Sequence, residues 1–238
     1  MTNKNYKNVH DFFELLNING IKYVVLRNYE EMHNDDFFTE GHEDIDLLVE
    51  DINSFIDCSY ALPKMSPDDK VHLEIIVDGI KVPLDVRSVG DDYYDSKWEK
   101  EIINNRVLAP NGNWYVMDKE NYYYSLAYHA ILQKEKLSYD YLMRLNKMSI
   151  SLEIDSSKEA EHIKNLNKWM KIKGYHYTKA KDSSVPLRKI YFGCHCFNRI
   201  NMRGVMIDLK NHSIDVIAWV LKKIGLYDYV RTVKRRYK

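Results

Sequence analysis

Asp78-Gly79 stands between two apolar runs, residues 71–77 and 80–86, and no other feature constrains the chain as tightly. An Asp-Gly turn joins antiparallel strands when both central residues take positive φ. Val77 then pairs with Ile80, His72 with Asp85 and Glu74 with Pro83. The same register gathers Val71, Leu73, Ile75 and Val77 on one face with Val82, Leu84 and Val86. A slip of one residue would turn that apolar set to water. Turn and alternation therefore support one register independently.

The remaining punctuation predicts the other elements. Asn8 caps a helix to about residue 16, with Phe12, Phe13, Leu15 and Leu16 on its apolar face and Gly20 beyond it. Residues 21–26 and 45–49 have strand character, with a polar loop at 28–43 between them and a short helix at 51–57. A helix at 92–105 is followed by a turn at Pro110-Asn111-Gly112. Helices are expected at 118–136 and 139–149. Ser156 with Glu159 suggests a capping box for a helix ending at Gly174. Residues 181–186 read as a loop, and a last long helix runs from about Ser213 to the end. The expected class is α+β: a mixed sheet with flanking helices over residues 1–117, then a mostly helical part over 118–238. The short connection between them suggests one packed body.

Lys plus Arg and Asp plus Glu are each 35, so overall charge excludes neither an acidic nor a basic partner. Residues 189–238 nevertheless carry eleven Lys or Arg against three acids, an excess of eight positive charges that the rest of the chain balances. The basic end, Arg231 to Lys238, suits peripheral contact with an anionic membrane face, at about 1 kcal/mol per basic group. A solvated tail is the plainer account. No aromatic-basic interleaving accompanies the charge, so nucleic acid is not expected. No apolar run is long enough for a spanning helix, and the polar start does not look like a signal peptide. The odd set Cys58, Cys194 and Cys196 fits a reducing cytoplasm. Cys194-His195-Cys196 lacks the second ligand pair of a zinc site.

The chemistry lies in Gly41-His42-Glu43-Asp44-Ile45-Asp46-Leu47-Leu48-Val49. Strand alternation points Asp44 and Asp46 one way and Ile45, Leu47 and Val49 into the core. Two like charges on one face need a cation. Magnesium, with manganese as alternative, prefers hard oxygen ligands and bridges substrate phosphates. Asp85, flanked by apolar residues on the later strand, supplies a third carboxylate. Three such acids make a ligand set for two metals. Asn at position 44 or 46 is expected to abolish activity with little loss of folding, since it removes like charge.

The order helix, strand, loop, "DIDLLV", then a strand with "LDV" resembles the nucleotidyltransferase superfamily, the DNA polymerase β-like fold, over roughly residues 8–90. "YVVLRNYE" with "GHEDIDLLV" and the downstream "YHAILQKEKLSYDYLMRL" is similar in style to the bacterial surface-polysaccharide branch, including the LicD/fukutin-like phosphotransferases. The resemblance implies a nucleotide-activated donor and a glycan acceptor, lipid-linked in some settings. One departure stands out. Where the superfamily has Gly-Gly or Gly-Ser after the first strand, this chain has Leu26-Arg27-Asn28. Arg27 is expected to grip phosphate through its planar fork, and the loss of the usual turn favours a CDP-linked donor over an ordinary triphosphate. The alternative is that Arg27 pairs with a nearby acid.

His129, after a Tyr-rich helix start, is expected to share a helical face with Lys136 and to meet base or phosphate with Lys134. A core histidine behind an aromatic stripe is the plainer account. Tyr139, Tyr141 and Arg144 are expected around the same cleft. His72, opposite Asp85, either orients that acid, relays a proton or touches a donor phosphate, or is half of a surface ion pair. Two rivals to a phosphate-group transferase remain. An Asp-x-Asp glycosyltransferase would need no Asp85 and normally has a longer nucleotide-binding region than the 43 residues before Asp44. The other rival is a nucleotide-binding module that has lost its chemistry.

Overall fold

The computed structural model describes residues 4–30, 32, 44–64, 66–110, 112–182 and 184–188. The expected cysteine pair, the basic C-terminal helix and most of the 28–43 loop lie outside these residues.

The architecture is α+β: a mixed eight-stranded sheet between two helical layers, with six α-helices among the described residues. The strands are β1 (Asn5–Tyr6), β2 (Tyr23–Val25), β3 (Ile45–Val49), β4 (Leu62–Pro63), β5 (His72–Val77), β6 (Ile80–Ser88), β7 (Val107–Leu108) and β8 (Tyr115–Val116). Their order is β1-β5-β6-β3-β2-β8-β7, with β4 paired to β5. The hairpin has the register that its turn dictates: Val77 faces Ile80, Glu74 faces Pro83 and His72 faces Asp85. Asp78 (φ 48°) and Gly79 (φ 76°) both take the left-handed region that this turn demands.

Alternation divides the sheet between two cores. Val25, Ile45, Leu47, Val49, Leu73, Ile75, Val82, Leu84 and Val86 pack against α1 (Val9–Ile18) and α2 (Ile52–Ser59) through Phe12, Phe13, Leu16 and Phe55. Asn8 caps α1 by accepting from the Asp11 amide, 2.9 Å away. Val24, Leu26 and Leu48 point the other way. They meet α3 (Ser96–Asn104), α4 (Lys119–Ala127), α5 (Tyr139–Ser151) and α6 (Glu159–Lys173). This second core is aromatic: Trp98 stacks on Tyr175 and Trp169 on Tyr124.

Two expectations about helices need correction. Residues 118–136 are not one α-helix: the chain widens into a π-helical turn at Tyr128–Leu132 and leaves the helix there. Lys136 therefore has no helical face to share with His129. Helix α6 starts at Glu159, not at a Ser156–Glu159 box, because the carboxylate that reaches back belongs to Glu161. It accepts from the Ser157 and Lys158 amides at 2.7 and 3.1 Å. The helix still ends at Gly174, in the left-handed region (φ 71°). No helix among the described residues is long and apolar enough to cross a membrane.

Candidate active site

The site lies between the sheet and the helical layer that carries His129 and Tyr141. Strands β3 and β6 run parallel, and Asp46 is the direct partner of Asp85. Asp44 lies just before β3, and all three acids open onto one cleft of about 370 Å³. Arg27, at the end of β2, lines the same cleft, as do His72 on β5, His129 in the π-helical turn and Lys134 just after it. Tyr141 joins them, whereas Arg144 lines a neighbouring cavity. Tyr139 is 73% exposed and lines neither.

Two arginines answer the acids. Arg27 Nε donates to Asp46 Oδ2 at 3.1 Å, its Nη2 donates to Oδ1, and its Nη1 donates to the Tyr93 hydroxyl at 2.9 Å. The fork is bidentate and nearly dry, the side chains being 8% and 14% exposed. Burial pushes the Asp46 carboxyl up; Arg27 opposes the shift, and the like charges of Asp85 and Asp44 add to it. Burial would lower the Arg27 pKa, but Asp46 outweighs it and holds the guanidinium charged.

Arg87 plays the matching part on β6. Its Nη2 donates to Asp85 Oδ2 at 2.9 Å and its Nη1 to Asp182 Oδ2 at 2.8 Å. Its guanidinium lies 4.8 Å from the Tyr93 ring centre. Burial favours the neutral Asp182 acid, yet the Arg87 bond and the Ser184 amide hold its pKa below the usual range. Arg87 ties the 182–186 segment, whose Ser184, Val185 and Pro186 form one wall, to the sheet.

The plainer account of Arg27, an ion pair with a nearby acid, describes its contacts. Asp46 is also more than a metal candidate, since it is the partner of a buried guanidinium. Asn at 46 therefore carries a folding cost that Asn at 44, an exposed position, does not.

Does the donor set fit a divalent cation? Among the described residues no three His, Cys, Asp or Glu side chains form a ready-made metal site. Asp46 and Asp85 each turn toward an arginine. Asp85 Oδ1, however, is buried without a hydrogen-bond partner. A buried anionic oxygen left in that state costs more than the 1–3 kcal/mol or so of a neutral group, which a hard cation would relieve. Carboxylate oxygens also keep lone pairs when an arginine occupies some of them. The three acids fit magnesium's ligand chemistry.

His129 is 6% exposed and its Nδ1 lies 3.1 Å from the Tyr93 hydroxyl and 3.3 Å from Gln133 Oε1. Burial, then the nearby Arg27, drives its pKa well below the usual histidine value, so it is neutral. His129 is packed like a core residue and also borders the cleft. His72 meets Asp85 in strand register, but its Nδ1 faces Asp69 Oδ2 at 3.1 Å.

Sequence reasoning missed Arg87 and Tyr93. Arg87 had a signal, because it lies two residues after Asp85 and so shares its sheet face. Tyr93, which joins Arg27 to His129, follows the strand in an irregular turn and had none. Comparison with family models, curated proteins and solved structures finds no match to this chain.

Proposed function

We propose that this chain is a magnesium-dependent transferase of nucleotidyltransferase-like fold. It moves a phosphate-linked group from a nucleotide-activated donor, CDP-linked in the favoured case, to a hydroxyl of a cell-surface glycan or its precursor. The observation that carries the reading is the pairing of Asp46 with Asp85 on adjacent parallel strands, beside Asp44, in a cleft that also holds Arg87 and Lys134. The reading places the work in the cytoplasm, at a membrane face if the basic C-terminus docks there.

Asp44, Asp46 and Asp85 would hold the metal, which when bound offsets phosphate charge and lowers the pKa of the attacking hydroxyl. The chain's own groups do the rest. The exposed Lys134 attracts the donor's phosphates to the rim. Arg27 orients the Asp46 carboxylate and opposes the upward pull of burial on it. Neutral His129 meets an anion without adding charge. The acceptor oxygen bonds to the phosphorus of the transferred group as the bond from that phosphorus to the nucleotide's bridging oxygen breaks. Asp85 takes the hydroxyl proton, and the nucleoside monophosphate leaves.

The test is nucleotide release from CDP-, UDP- and GDP-linked donors with and without magnesium. Release of CMP that requires the metal is expected. Release of UDP or GDP would favour the Asp-x-Asp glycosyltransferase. One observation favours the non-catalytic module: Arg27 already engages both oxygens of Asp46, as a built-in cation would. Magnesium-dependent nucleotide binding without turnover would decide for it.

A further inference from the structure

Asn28 lines two cavities. On one side is the acidic cleft; on the other is a cavity of about 440 Å³ between the end of β2 and helices α4 and α5. Its walls are chemically different. Tyr29 and Tyr122, with ring centres 5.1 Å apart, form an aromatic wall together with Met148 and Leu152. Lys119, Arg144 and Lys147 bring three cations to it against one acid, Glu30.

The cationic side is built, not incidental. Arg144 Nη1 donates to Asn28 Oδ1 at 2.9 Å and its Nη2 to the Tyr122 hydroxyl at 2.7 Å. That hydroxyl in turn donates to Glu30 at 3.0 Å. The guanidinium is thus fixed in place, with the Glu30 carboxylate 3.8 Å away. Lys119 and Lys147 are exposed and form no ion pair with a described residue. An aromatic and thioether wall suits the C–H face of a sugar ring, and a fixed guanidinium flanked by two lysines suits an anionic group.

We propose that this second cavity binds the acceptor, a sugar bearing a phosphate or carboxylate, and presents its hydroxyl across Asn28 to the acids. The assignment rests on the transferase reading. Geometry favours it: Asn28 directly follows Arg27, which grips Asp46. Helix α5 also serves both cavities, with Tyr141 toward the cleft and Arg144, one turn on, toward the second cavity. Charge excludes the donor's nucleoside as occupant, because base and ribose are neutral while the donor's phosphates belong at the acids.

The test is calorimetric titration of the whole protein, without magnesium, by glucose 1-phosphate, glucose 6-phosphate, glucuronate, glucose, inorganic phosphate and CMP. At least one anionic sugar should bind more tightly than both glucose and inorganic phosphate, and CMP should not displace it. The K119E/K147E double variant changes two exposed residues, and its thermal midpoint reports whether it folds. It should weaken anionic sugar binding tenfold or more. K119Q/K147Q, which removes charge without reversing it, should weaken it less. The proposal is overturned if no anionic sugar binds, if the double variant binds as tightly as the wild type, or if CMP competes. Outcomes for the two readings separate. Sugar binding without magnesium-dependent nucleotide release sinks the transferase reading and leaves the cavity an anionic-sugar site without an acceptor role. Nucleotide release without anionic sugar binding sinks only this one.

Discussion

Two sets of carboxyl groups lie close in sequence but are neutralised in opposite ways. Asp46 pairs with Arg27 and Asp85 with Arg87. Asp91 and Glu99 face each other beneath the turn that follows β6. Glu99 is fully buried and accepts from the Gly90 and Tyr94 amides at 2.7 and 3.0 Å. Asp91 accepts from the Ser88 and Tyr93 amides at 3.1 and 2.9 Å. Burial, then the Asp91 charge, pushes Glu99 up to about 8, and burial pushes Asp91 up as well. One pair thus keeps a proton at neutral pH. The other keeps arginines, which a divalent cation can complement.

The largest expected effect tests the cation half of this contrast. Asp44→Asn and Asp46→Asn should each lower magnesium-dependent turnover at least about a hundredfold, since metal stabilisation is worth several kcal/mol at about 1.4 kcal/mol per decade. Steady-state kinetics at saturating magnesium checks this, and turnover within threefold of wild type in either variant removes that residue from the metal set.

Next comes the proton half. Below pH about 4.5 Glu99 is protonated folded or unfolded. Between there and about 8 the native state keeps a proton that the unfolded state has lost, so stability falls as pH rises through that window. The fall should be on the order of a few kcal/mol. Glu99→Gln carries a constant cost, because its amide cannot accept from both backbone amides, but it should flatten the slope. Denaturant unfolding at pH 5, 6.5 and 8 measures it. An equal slope in both proteins would show that Glu99 ionises normally.

A third comparison separates the two Asp-x-Asp positions by stability. Asp46→Asn weakens the partner of a buried guanidinium and should cost about 1–3 kcal/mol, while Asp44→Asn should leave the unfolding midpoint unchanged. Equal midpoints would mean that the Arg27–Asp46 fork contributes nothing to folding.

What the sequence disclosed follows the range of each interaction. The β5–β6 register was legible because a two-residue turn and a period-two pattern lie within sixteen residues of each other. The α1 cap was legible for the same reason. Ile45, Leu47 and Val49 fell on the core face because alternation needs no partner to be known. Arg87–Asp182 was not legible: the two lie 95 positions apart, and a loop aspartate carries no pattern. Nor was the π-helical turn, which swings His129 to the cleft through a backbone widening that no residue preference marks. The Asp91–Glu99 proton stayed hidden because an acid at a helix start reads as an ordinary first-turn charge until its burial is known.

His72 carries the smallest effect and the finest test of the acidic cleft. It is Asp85's partner in register, but Asp69 holds its Nδ1, and Asp69 is itself anchored by the Val71 and His72 amides at 2.9 and 3.0 Å. Burial would raise Asp69, yet those amides and the imidazole keep it below the usual range, a ready acceptor for a protonated ring. The pair is partly exposed, 32% and 15%, so its share of stability should stay below about 1 kcal/mol. Its value, if it has one, lies in aiming the ring at the cleft. One hydrogen bond to a donor phosphate, at about 0.5–1.5 kcal/mol, corresponds to roughly a two- to tenfold change in KM. His72→Gln should therefore raise donor KM by that factor with kcat nearly unchanged. Asp69→Asn should raise donor KM by less, because it loosens the ring's anchor without removing the ring. If both variants leave KM as in wild type, His72 is a surface ion pair, and the acids act without it.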